Sequence, residues 1–177
     1  MSDILIAYFS KRGSNYVGGS VVQLEKGNTE VVAEKIQNLT NADIFHIKTV
    51  KEYPDDYYAV TEVAKDELNN NERPELTGKV EDISKYDTII LCYPNWWGTF
   101  PVAVMTFLET YDLTGKKILP LCTHEGSGMG NSEKDLKTKF CPNSEIVKGL
   151  ALYGNAVSMS GTKIANWLRE NGIVIPD

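Results

Sequence analysis

Three stretches of the 177-residue chain hold residue types that a hydrophobic core does not need. In Tyr93-Pro94-Asn95-Trp96-Trp97-Gly98-Thr99-Phe100-Pro101, two adjacent tryptophans stand between prolines. Neighbours in an extended loop point in different directions, so at least one indole lies at the surface or against a ligand. The prolines stiffen the loop, and Gly98 lets the backbone approach a planar ring closely. A flat heteroaromatic guest suits such a loop; an apolar loop packed under the next helix is the alternative. Ser10 and Gly27-Asn28-Thr29 form the second group. Hydroxyls and free N–H groups at a helix start bind phosphate without a cation, although Asn28 and Thr29 also read as helix caps. The third is Thr123-His124-Glu125-Gly126-Ser127-Gly128-Met129-Gly130-Asn131, whose backbone donors and hydroxyls can wrap a ligand edge.

Several familiar chemistries fail on spacing. Residues 13–20 nearly match a P-loop, but Gly19 stands where the phosphate-binding lysine belongs. The glycines after Glu125 run GxGxG, with Asn131 where a dinucleotide fingerprint needs glycine, and they do not follow the first strand. His124 and Glu125 could act as an acid–base pair, but neither has an evident partner. The other histidine, His46, is distant, and the three cysteines have no metal-ligand spacing. Cys92 and Cys122 occupy similar strand-end positions; buried inert thiols are preferred to a redox pair. No GxSxG elbow is present.

These loops need a scaffold. Continuous apolar runs at 4–9, 88–93 and 118–122 read as strands buried on both faces, with weaker strands at 44–47 and 150–153. Pro120 removes a ladder donor and demands a bulge or a strand start. Helical stripes lie between the runs. The first joins Val32, Ile36 and Leu39; the second, after Pro54-Asp55-Asp56, joins Tyr57, Val60, Ala64 and Leu68. Val104, Phe107, Leu108 and Tyr111 mark the third. Ser132 and Asp135 resemble a capping box before Leu136 and Phe140. Ile164, Trp167 and Leu168 mark the last helix, which Gly172 ends as a C′ residue. Alternating strands and helices predict an α/β three-layer sandwich around a five-stranded parallel sheet. Ligands then bind at the carboxyl ends of the strands, beside the loops after strands one, three and four. The first of these loops, residues 11–27, is far longer than an ordinary βα connection.

Composition limits the partners. Eighteen Lys+Arg against 24 Asp+Glu leave a net charge of −6, which opposes nucleic-acid binding. No apolar run reaches membrane-spanning length, and Asp3 precedes the first run without a basic flank, so neither a membrane nor a secretory leader is expected. Three cysteines without a CxxC fit free thiols in a reducing, cytoplasmic setting. The length suits one domain over residues 1–177.

Taken together, the three loops make the chain resemble the flavodoxin family, which binds flavin mononucleotide (FMN). Tyr8-Phe9-Ser10 and Gly27-Asn28-Thr29 are similar to that family's phosphate loop, here split by an insertion. Pro94-Asn95-Trp96-Trp97-Gly98-Thr99 resembles the isoalloxazine loop, and Thr123-His124-Glu125-Gly126-Ser127-Gly128 the second flavin-edge loop. The resemblance implies strand order 2-1-3-4-5. It implies phosphate binding by Ser10, Asn28 and Thr29, and ring contacts from Pro94 to Thr99 with Trp96 or Trp97 over one face. Glu125, Gly126, Ser127 and Gly128 would close the far edge. No tyrosine stands in that last loop to build a second aromatic wall, which leaves one ring face open. The implied function is a low-potential electron carrier serving redox proteins, the alternative an NAD(P)H-dependent reductase of quinones or similar acceptors.

Overall fold

In the computed structural model, which describes residues 3–177, the apolar runs form one parallel sheet. Its strands are β1 (Ile4–Tyr8), β4 (Asp43–His46), β5 (Thr88–Pro94), β6 (Lys117–His124), β7 (Glu145–Ile146) and β8 (Leu150–Tyr153). They run in the order β4-β1-β5-β6, with both β7 and β8 on the outer side of β6. Counting β7 and β8 as one interrupted strand, this is the 2-1-3-4-5 order. Alternate residues of β1 enter opposite layers, as the two-residue strand period requires. Leu5 and Ala7 meet Val104, Phe107 and Leu108 of α3 (Val102–Thr110), with Leu68 of α2 (Tyr57–Asn69) packed alongside. Ile6 and Tyr8 meet Val32 and Ile36 of α1 (Asn28–Thr40), and Ile164, Trp167 and Leu168 of α5 (Gly161–Glu170).

Pro120 explains the interruption. The Ile118 carbonyl accepts the Val147 N–H at 3.1 Å, so Ile118 faces the outer side of β6. Two residues on, Pro120 faces the same side, and its missing N–H falls where β7 stops and β8 has not begun. Side chains serve the gap: Glu133 accepts the Gly149 N–H at 2.8 Å, and the Trp167 indole donates to the Lys148 carbonyl at 3.1 Å.

The helix ends follow local chemistry in part. Asp56 caps α2 by accepting the Ala59 N–H at 2.9 Å. Gly172, at φ +79°, closes α5: its N–H reaches the Arg169 carbonyl at 3.0 Å while the Ile173 N–H reaches that of Leu168 at 3.0 Å. The capping box expected at Ser132 does not form. The short helix α4 (Ser132–Asp135) starts from Asn131 without a side-chain cap. Ser132 donates to the Met129 carbonyl and accepts from the Tyr93 hydroxyl, while Asp135 accepts from Thr99. Both polar side chains hold the neighbouring loops.

The long first connection is not a loop. It folds as an antiparallel hairpin, β2 (Gly13–Val17) and β3 (Ser20–Leu24), closed by Gly18 and Gly19 at φ +61° and +96°. Two positive φ values between paired Val17 and Ser20 make the two-residue turn whose twist matches the flanking strands. Among the described residues, no helix is long and apolar enough to cross a membrane.

Candidate functional site

The loops after β1, β5 and β6 meet at the carboxyl end of the sheet and enclose a cavity of about 550 Å³. Of the residues singled out in the sequence, Ser10, Asn28, Thr29, Pro94, Asn95, Trp96, Trp97, Gly98, Thr123, Glu125 and Ser127 all line it. Gly27, Thr99, Gly126 and Gly128, also singled out in the sequence, are not among the lining residues.

At one end lies the start of α1. Gly27 occupies the cap position, and neither Asn28 nor Thr29 caps the helix, contrary to one sequence reading. The cap comes from Ser10, twenty residues earlier, whose Oγ accepts the Glu30 N–H at 3.0 Å. A Cβ on Gly27 would lie 2.1 Å from that Oγ and 2.5 Å from the Lys11 carbonyl, so only glycine allows this approach. The N–H groups of Asn28 and Thr29 precede the first intrahelical bond, from Val31 to the Gly27 carbonyl, and carry the positive end of the helix dipole. Thr29 and Thr123 hydroxyls share a hydrogen bond of 2.9 Å. Backbone donors, hydroxyls and one amide thus converge on this end of the cavity, while the lining cation Lys11 is bonded to the Arg12, Ser14 and Asp55 carbonyls.

The tryptophan loop turns sharply. Trp96 N–H reaches the Thr99 carbonyl at 2.8 Å, with Trp97 and Gly98 between them at φ +59° and +88°. A left-handed conformation is uncommon for a bulky residue and strains the backbone. Other contacts hold it in place. Asn95 accepts the Gly98 N–H at 2.9 Å and donates to the Gly128 carbonyl at 2.9 Å, tying the β5 loop to the β6 loop. The Trp97 indole donates to the Thr61 carbonyl of α2 at 2.8 Å, and Lys65 lies over its ring. The two indoles separate: Trp96 meets Phe9 and Tyr53 edge-on at 5.0 and 5.4 Å, whereas Trp97 is half exposed. Buried Glu67 accepts from the Tyr53 hydroxyl at 2.9 Å and so fixes the ring behind Trp96.

In the β6 loop, the Gly126 N–H donates to Nδ1 of His124 at 2.9 Å. That nitrogen is therefore an unprotonated acceptor, consistent with burial pushing the His124 pKa down. Its ring packs on Tyr153 at 4.4 Å. His124 and Glu125 do not form an acid–base pair, because the Glu125 carboxylate is taken by the N–H groups of Gly18 and Gly154 at 2.8 and 3.2 Å. Cys92 and Cys122 are buried free thiols, and burial pushes the Cys122 pKa up to about 12.

Several lining residues escape the sequence reading. Lys11, Asn15 and Tyr16 come from the hairpin, and Tyr57, Tyr58, Val60 and Thr61 from α2. They add a second aromatic group to the cavity lining, with Tyr16 and Tyr57 rings 5.7 Å apart. One signal was available: Gly18-Gly19 between Tyr16-Val17 and Val21-Val22 has the form of a two-residue hairpin. Lys11 donates to the carbonyls of Ser14 and Asp55 at 3.1 and 3.3 Å, and burial lowers its pKa against the pull of Asp55 and Asp56.

The comparisons agree with this architecture. No protein of curated function matches the sequence. Among solved structures, the chain is similar to a candidate flavoprotein from Bacteroides eggerthii DSM 20697, with 30% identity and a TM-score of 0.70 over 93% of this chain and 99% of that one. A flavoprotein from Lactobacillus acidophilus NCFM, solved in complex with FMN, shares 18% identity at a TM-score of 0.66, covering 94% of this chain and 99% of that one. A Fusobacterium nucleatum flavodoxin bound to flavin mononucleotide shares 16% identity at a TM-score of 0.53, covering 98% of each chain. The flavodoxin family model matches residues 3–171. With that match over nearly the whole chain, on a doubly wound sheet in 2-1-3-4-5 order, the chain belongs to the flavodoxin family.

Proposed function

We propose that the cavity binds FMN and that the protein is a low-potential electron carrier. The observation that carries this reading is the convergence, in one cavity, of a helix start ringed by hydroxyls with a rigid aromatic turn. Those are the two ends of a phosphorylated flavin. FMN contributes reversible one- and two-electron chemistry when bound. The chain's part is to hold it. Asn28 and Thr29 N–H groups, with the Ser10, Asn28 and Thr29 side chains, receive the phosphate. The turn from Pro94 to Thr99 faces the pyrimidine side with backbone groups, Trp97 covers a ring face, and the loop from Thr123 to Gly128 borders the edge. Aromatic surroundings and the acidic charge of the chain both oppose added negative charge on the ring, which favours a low potential.

Equilibrium titration tests the site. FMN should bind with quenching of its fluorescence, whereas N28A/T29V, which removes two side-chain hydrogen bonds to the phosphate, should lose at least about a hundredfold in affinity for FMN and much less for riboflavin, since hydrogen bonds to a charged group contribute about 1.5–3 kcal/mol each. Equal losses for both ligands would remove the phosphate from this helix start. Slow photoreduction followed by spectroscopy tests the carrier role. Two separate one-electron steps with no consumption of NAD(P)H are expected; direct two-electron reduction by NAD(P)H would make the protein a reductase instead.

A further inference from the structure

The hairpin β2–β3 has no part in the roles assigned above, yet it forms one wall of the cavity through Asn15 and Tyr16. It is pinned at three places. At its base, Arg12 forks onto Glu30 of α1 at 2.9 and 2.6 Å. Along its length, Tyr16 rests on Tyr57 of α2, and just ahead of its base Lys11 reaches the Asp55 carbonyl. At its tip, the Gly18 N–H donates to Glu125 Oε1 at 2.8 Å. The other oxygen of that carboxylate holds the Gly154 N–H, and a Cβ at Gly154 would meet Glu125 Oε2 at 2.3 Å and Asn28 Nδ2 at 2.5 Å. Glu125 therefore links the insertion to the β6 loop and to the start of the segment after β8, next to the α1 terminus. The base contact is a two-pronged ion pair, whereas the tip depends on one hydrogen bond to an exposed side chain. The tip is the end that opens with least loss of contacts.

From this we propose that the hairpin is a strap across the flavin cavity and that Glu125 is its latch, a positioning residue that governs how fast the cofactor enters and leaves. The proposal rests on the reading that the cavity holds FMN. It gives Glu125 a role different from edge contact with the ring: its two acceptor oxygens fix backbone, and the ring meets what that backbone presents. Because the latch is independent of the phosphate, FMN and riboflavin should respond to its loss alike.

Two variants test this. In E125Q only one side-chain oxygen remains to accept, so one of the two N–H groups loses its partner. The FMN dissociation rate, read by recovery of flavin fluorescence, should rise about three- to tenfold, by a similar factor for riboflavin, as the loss of one hydrogen bond to a solvent-exposed side chain implies. Amide exchange at Gly18 should accelerate with it. The converse variant locks the strap. A Cβ on Gly18 would lie 3.9 Å from that of Asn155, within the span of a disulfide, and the native cysteines are all buried. In oxidised G18C/N155C, both loading and release of FMN should slow, and reductant should restore them. Failure of the wild-type protein to bind FMN at all would refute the functional reading. Normal binding with release rates unchanged by E125Q and by oxidation of the double variant would refute the strap. Unchanged Gly18 exchange in E125Q would refute the latch.

Discussion

Ser10 joins two roles that the sequence keeps apart. Its hydroxyl borders the cavity and also accepts the Glu30 N–H, while Asn28 and Thr29, cap candidates by type and position, make no cap bond. S10A should therefore destabilise the cofactor-free protein by about 1 kcal/mol, as loss of a helix cap does. N28A should leave it nearly unchanged. Urea unfolding of the two apo variants separates these outcomes, and equal midpoints would show that Ser10 is not the cap. The sequence places Asn28 and Thr29 correctly at the start of α1 but does not reveal the cap, because the donor and acceptor are twenty residues apart and meet only through β1 and the hairpin. The same limit applies to Trp96 and Trp97. Their adjacency implies that they diverge; which one turns inward depends on Phe9 and Tyr53.

Among elements, the hairpin was the least legible, and Pro120 takes neither the bulge nor the strand start expected of it but sits within β6. A proline in a buried strand requires a compensating break, and the break appears in the partner strand, opposite the missing N–H. The hairpin's two glycines instead fell within a segment that resembles a failed P-loop, so its β-turn chemistry was hidden by a motif of similar composition. Its anchor to α1 gives a pH signature. The Arg12 guanidinium, hydrogen-bonded to Glu30, holds that carboxyl below its ordinary value of 4.5, with burial opposing. In the unfolded chain Glu30 titrates at the ordinary value. The pair therefore stabilises the fold fully above that pH and loses its contribution as pH falls through the lower folded value. R12A should be less stable than the parent at neutral pH, and the two stability curves should converge on acidification below pH 4.5. A gap that stays constant across that range would mean that Arg12 acts by packing alone.

For the whole molecule, charge is the property that the sequence already states. If the protein is the electron carrier proposed above, its net charge of −6 should steer a basic redox protein toward it. On the proposed role, the bimolecular rate with such a partner should fall steeply as salt rises from about 0.01 to about 0.15 M, over which the screening length shortens from about 30 to about 8 Å. A rate indifferent to salt would argue for apolar docking at the exposed Tyr58 and Trp97 rim. By itself the sequence determined the alternation of buried strands with amphipathic helices, hence the doubly wound sheet and the end of it where a ligand binds. Side-chain period and strand twist are local consequences of residue type, and right-handed crossovers leave few ways to combine them. Only the tertiary structure decided what closes that site. Ser10 beneath Glu30, Tyr16 against Tyr57 and Glu125 on the tip of the hairpin are pairings between distant segments, and nothing in the type of either partner names the other.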